Sequence, residues 1–208
     1  MGKVQAIRKE EIETNEPPSL HGRAMDNLAF IRETMERSAV FTSIPGYGGM
    51  LMGATAIGAS IIAYRQVDFA NWLTVWLAEA VLAFAIGLLA MWQKSKIVKT
   101  PLTSAPARKF ALGFLPPIVC GVVLTFALFR LGTDKDLIVG TWLLLYGAAV
   151  ACGGMSSVRI VPVVGWLFML LGAIAFFVPA MFSDWLMAVG FGGLQILFGL
   201  IIARKFGG

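Results

Sequence analysis

The chain is poor in the side chains that do most protein chemistry. Its 208 residues hold one histidine and two cysteines, and only 14% are charged. The single histidine, His21, lies outside every long apolar run, so no apolar segment supplies the paired imidazoles of a bis-histidine haem or a histidine metal site. An intramembrane serine hydrolase would lack its base. No lysine sits deep in an apolar run, which excludes a retinal-type Schiff base, and no run carries the arginine ladder of a voltage sensor. A Gly-rich phosphate loop ending in Lys-Ser/Thr is missing, which excludes a nucleotide-driven motor. The first residues carry charge but no apolar core, so no cleavable signal peptide is expected. The Met-Gly start fails the myristoylation pattern, because Ala6 stands where Ser or Thr is needed.

What the chain has in abundance is apolar surface. Hydrophobic residues make up 58% and the mean hydropathy is +0.78. Soluble domains hold about 45–50% apolar and about 25% charged residues. A chain of 22.4 kDa cannot hide that much apolar surface from water. The composition therefore implies an all-α, polytopic membrane protein. Net charge is +5, yet the basic residues cluster at the ends of apolar runs rather than on one face of a domain, which argues against nucleic acid as a partner. Cys120 and Cys152 both lie in apolar runs and are expected to be small buried residues, not a disulfide framework.

Residues 1–22, rich in Glu and Lys and containing Pro17 and Pro18, read as a disordered cytoplasmic tail. Within the juxtamembrane segment 23–43, Met25, Leu28, Ile31, Met35 and Ala39 recur at spacings of three and four, which predicts an amphipathic helix over 23–40. Six apolar runs fill 44–203: Ile44–Tyr64, Phe69–Trp92, Phe110–Phe129, Leu137–Met155, Ile160–Met181 and Trp185–Ala203. Each approaches the roughly 20 residues needed to cross a hydrocarbon core of about 30 Å. Short connections predict six transmembrane helices in three antiparallel hairpins, followed by a cytoplasmic tail at 204–208. A double proline, Pro116-Pro117, is expected to break the third span.

Charge predicts the orientation. With alternating crossings, 14 of the 17 Lys and Arg residues fall on one side, and only Arg65, Arg130 and Lys135 on the other. The positive-inside rule then puts both termini in the cytoplasm of a cell with this protein in its inner (plasma) membrane. The second helix of each hairpin starts with Trp-Leu after an acid: Asp68 before Trp72, Asp136 before Trp142, Asp184 before Trp185. This echo suggests three tandem units.

The last hairpin, GWLFMLLGAIAFFVPAMFSDWLMAVGFGGLQILFGLIIARK, resembles the Gly-rich hairpins of HdeD-type acid-resistance membrane proteins. The whole chain is similar to uncharacterised bacterial six-span membrane proteins in which a helix like AMDNLAFIRETMERSAVFTSIPGYGG precedes the first span. Neither resemblance assigns a catalytic or binding residue.

Glu79 is the one acid inside a span, about ten residues from its end, or roughly 15 Å at 1.5 Å per residue. An unpaired carboxylate there costs about 2.5–3.5 kcal/mol, so it needs a proton, polar partners or water. Thr55, Cys120, Tyr146 and Gln195 fall at the same depth on four other spans. Such a cluster is either interhelical polar glue or a site for a proton or small solute. Gly49 and Gly53 at GxxxG spacing, and Gly190, Gly192, Gly193 and Gly199 near the end, predict close helix contacts. Lys94, Lys96, Lys99, Arg108 and Lys109 flank Trp92 and are candidate contacts for anionic lipid headgroups, or else topology signals alone. The expectation is a non-enzymatic membrane protein without a cofactor. Its partners would be lipids, a second copy of itself or another membrane protein. The alternative is a small ion or solute transporter or channel using Glu79.

Overall fold

The computed structural model describes residues 20–38, 41–99 and 101–206. The expected tail lies outside them, apart from its last few residues. The chain divides into two units, Met1–Ser38 and Ala39–Gly208. The first contains α1 (Leu20–Ser38), with Met25, Leu28, Ile31 and Met35 all exposed.

The second unit is helical from Gly46 onward. It comprises α2 (Gly46–Tyr64), α3 (Phe69–Val98), α4 (Ala105–Leu131), α5 (Lys135–Gly154) and α6 (Ile160–Ala175). A last, composite helix follows: a 3-10 turn (Ala180–Phe182), α7 (Ser183–Met187), a π-helical segment (Ala188–Leu194) and α8 (Gln195–Phe206). By length and composition α2, α3, α4, α5 and the stretch Ala180–Lys205 can cross a membrane, and α6 is a shorter apolar helix of 16 residues.

Three boundaries differ from the sequence reading. First, α3 overruns Trp92 to Val98 and α4 starts at Ala105, so most of the stretch 93–109 between the second and third apolar runs is helix. Apolar patterning marks the part of a helix that sits in lipid, and backbone hydrogen bonding carries it further. Lys99 ends α3 in the left-handed conformation (φ 55°). Second, α6 stops at Ala175, short of the expected Met181. Pro179 follows, and the residue before a proline is pushed out of the helical region. Third, Pro116 and Pro117 do not break α4, which runs through both. The two prolines remove amide donors only for the carbonyls one turn earlier, at Leu112 and Gly113.

Two helices organise the packing. α2 lies against α3 and, along its other side, against the π segment and α8. α5 lies against α4 and α6. The last helix meets α6 mainly around α7 and the π segment, and its main neighbour is α2 rather than its sequence neighbour. Glycine makes the α2–α8 approach possible. A Cβ on Gly53 would stand 2.7 Å from the Gly192 carbonyl oxygen, and one on Gly199 would stand 2.7 Å from that of Gly46. α5 and α6 use the same device, with a Cβ at Gly147 falling 2.7 Å from the Gly165 carbonyl oxygen. Without a hydrophobic drive between helices in lipid, such close contact is what holds them. The core runs through Trp72, Leu73, Trp76, Ile138, Leu143 and Phe168.

Candidate intramembrane polar site

Trp72, Leu73, Trp76 and Glu79 recur along α3 at helical spacing and are its buried face. Asp68 caps the helix by accepting from the Asn71 amide at 3.1 Å. Glu79 is thus carried inward by the pattern that buries the two tryptophans, and it is 8% exposed. Its Oε1 lies 2.8 Å from Thr55 Oγ1 on α2. The same hydroxyl is 2.9 Å from the Met52 carbonyl oxygen. A hydroxyl has one proton, so the pair has two bonding patterns. Thr55 donates to an ionised Glu79, or a neutral Glu79 donates to Thr55, which then donates to Met52.

The other expected members do not join this pair. Gln195 Nε2, in the first turn of α8, donates to the Tyr146 hydroxyl on α5 at 2.6 Å. The Tyr146 ring sits among Phe168, Phe191 and Phe114, with centroids 4.9, 4.9 and 6.2 Å away. Cys120 is exposed on α4 and stands apart from both pairs. Cys152 is exposed as well, so neither cysteine is the buried residue expected. Of α4's middle and far end only Gly121 and Thr125 are buried, and Cys120 points the other way. Position along a helix can be read from sequence, but direction around its axis cannot.

Two polar arrangements were missed. Trp142 Nε1 donates to Thr125 Oγ1 at 2.7 Å, joining α5 to α4. At one end of the bundle Asp184, only 3% exposed, gathers three helices. It accepts from Trp72 Nε1 at 2.7 Å and pairs with Lys135 Nζ at 3.2 Å, while its backbone carbonyl accepts from Ser60 Oγ at 2.9 Å. The available signal was Lys135, one of three basic residues on the charge-poor side, opposite an acid next to a tryptophan.

At the opposite end Phe41 is pinned, its amide donating to the Ser156 carbonyl at 2.8 Å and its carbonyl accepting from Ser157 Oγ at 2.5 Å. Lys94 is buried, and its Nζ donates to the Ile44 carbonyl at 2.8 Å. It is therefore not on the open surface with the rest of its basic cluster. Lys96 Nζ lies 3.4 Å from the centroid of the Trp92 ring, a cation–π contact. Lys99, Arg108 and Lys109 are exposed. Among the described residues no group of three or more His, Cys, Asp and Glu is placed to hold a metal. Comparison with protein-family models, curated proteins and solved structures returned no match.

Proposed function

We propose that this chain is a structural or accessory protein of a bacterial-type inner membrane, packing with itself or with another membrane complex and catalysing no reaction. Six crossings with both termini cytoplasmic fit the charge split along the chain. The likeness of its last hairpin to HdeD-type proteins supports the same setting. The observation that carries the reading is the Thr55–Glu79 bond, in which the one acid of α3 is spent on joining α2 to α3. Side-chain bonds between transmembrane helices average about 0.6 kcal/mol and need no further function.

The test compares Glu79→Gln with Glu79→Leu. An amide keeps a partner for Thr55, so Glu79→Gln retains assembly. Glu79→Leu weakens it by about 1–2 kcal/mol, measured as unfolding in detergent. A leucine variant as stable as wild type contradicts the role of glue.

One observation favours a second reading, a proton- or cation-coupled transporter. The indole N–H of Trp76, one turn before Glu79 on the same buried face, is enclosed with no acceptor among the described residues. Buried donors are rarely left so. Under this reading wild-type proteoliposomes show pH-dependent uptake that Glu79→Gln abolishes, because an amide releases no proton. Such uptake would displace the structural reading.

A further inference from the structure

α1 is a unit of its own, and its described large apolar side chains, Met25, Leu28, Phe30, Ile31 and Met35, are all exposed. At about 100° per residue, Leu28, Ile31 and Met35 fall within an arc of roughly 60°, with Ala24 inside it. Asp26 and Phe30 stand on the opposite side. Arg23, Arg32 and Arg37 are matched in number by Asp26, Glu33 and Glu36, so the helix carries no net fixed charge. Most helical stability in proteins comes from packing an apolar face rather than from intrinsic propensity. The stripe therefore calls for an apolar partner.

The covalent chain limits where that partner can be. Phe41 is buried, and its backbone is bonded to Ser156 and Ser157 in the turn between α5 and α6. Its ring lies 5.2 Å from that of Phe110 on α4. Three peptide steps lead from Ser38 to Phe41, a reach of at most about 11 Å. Five residues beyond Phe41 begins α2, the first helix long and apolar enough to cross a membrane. The headgroup region adds only about 5–8 Å on each side of the hydrocarbon. A helix tied this closely to the ends of membrane-crossing segments has the lipid surface within reach. A second copy fits less well, because the stripe covers about two heptads, short of the three to four that mark a coiled coil.

We infer that α1 lies flat on the surface of the membrane that the other helices cross, with Leu28, Ile31 and Met35 in the lipid and Asp26 and Phe30 in water. Since its charges cancel, apolar burial holds it there, and it does not select anionic headgroups. The inference rests on the chain being a membrane protein and is independent of the role of Glu79.

The test uses the full chain with Cys120 and Cys152 replaced by alanine, reconstituted in phosphatidylcholine vesicles. Single nitroxide labels are placed at Leu28, Ile31 and Met35, and at Asp26 and Phe30. Power saturation reads their collisions with oxygen, which concentrates in lipid, and with a water-soluble nickel chelate. Labels at 28, 31 and 35 meet oxygen and little nickel, at depths of about 5–10 Å. Labels at 26 and 30 meet nickel freely. Added phosphatidylglycerol or raised salt leaves these depths unchanged. Leu28→Glu, a change on an exposed side chain, raises nickel access at 31 and 35 to the level at 26. Free nickel access at 28, 31 and 35 without that substitution overturns the inference. So does protection from both reagents, which marks burial in protein; spin–spin broadening lost on dilution with unlabelled chain then identifies a second copy. Depth that appears only with phosphatidylglycerol marks attraction by charge and overturns it as well. A chain removed from the vesicles by alkaline extraction refutes the membrane reading itself.

Discussion

At the scale of single residues, the buried polar groups in this bundle differ in what their loss would leave behind. Asp184 has two side-chain partners of unequal weight. The Trp72 indole is 2% exposed and has no route to water, whereas the Lys135 side chain is about one-third exposed (32%) and can turn to solvent. Asp184→Ala therefore orphans the indole donor and costs about 1–3 kcal/mol. Lys135→Ala removes a partly solvated pair and costs about 1 kcal/mol or less. Asp184→Asn, which keeps an acceptor for Trp72, falls between them. Unfolding midpoints in one detergent rank the three variants, and a Lys135→Ala effect as large as that of Asp184→Ala would show that the ion pair, not the indole bond, holds this end together. Glu79 has one described side-chain partner, Thr55, which itself has a backbone alternative at Met52, so Glu79→Leu removes an interhelical bond without orphaning the Thr55 donor.

At the scale of elements, the glycines separate into those that touch a neighbour and those that do not. In α2, Gly53 faces Gly192 and Ile196 of the last helix, and a Cβ has no room there. Gly58, five residues on, has nothing within 4 Å of an added Cβ. Gly53→Val should force α2 and α8 apart at a cost of about 1–3 kcal/mol, as overpacking does in a close-packed interior. Gly58→Ala should be neutral or should stabilise by roughly 0.5–1 kcal/mol, because alanine loses less backbone freedom in a helix. Cysteine crosslinking between α2 and α8 reports the separation, and a Gly53→Val protein with unchanged crosslinking would refute the close-contact account. The π-helical segment belongs to the same interface. Its Gly192 meets Ile57 and Gly53 of α2, and Gly190 meets Leu143 and Phe168. The sequence marked these glycines as packing residues, but nothing in it distinguished an α from a π turn. That choice depends on how α2, α5 and α6 approach the segment.

At the scale of the whole molecule, the outstanding quantity is the number of crossings. Five helices have the length to span, and the sixth, α6, has 16 residues, or about 24 Å of rise. If α6 crosses, with the turn at 176–179 or local thinning of the bilayer making up the difference, the count is even and both ends share a side. Reporter fusions at the two termini should then both give cytoplasmic activity, while opposite sides would mean that α6 does not cross. Helical character and the positions of most spans were legible without coordinates, because a bilayer leaves an apolar chain little choice but to satisfy its own backbone. Helix ends were read less well, as α3 and α4 show, since apolar patterning stops at the lipid boundary and the helix does not.

The sequence by itself determined the all-helical, apolar class of this protein and the approximate places of its apolar helices, because composition and the lengths of apolar runs suffice for those. It named Glu79, Thr55, Tyr146 and Gln195 as residues at one level. Only the tertiary structure decided that they form two separate pairs, that Cys120 stands outside both, that Lys94 lies buried and donates to the Ile44 carbonyl, and that Asp184 ties three helices together. Those outcomes depend on the rotation of each helix about its axis and on which neighbour it meets. Local spacing constrains neither. They follow from the close contacts of glycine surfaces between segments as distant as Gly53 and Gly192.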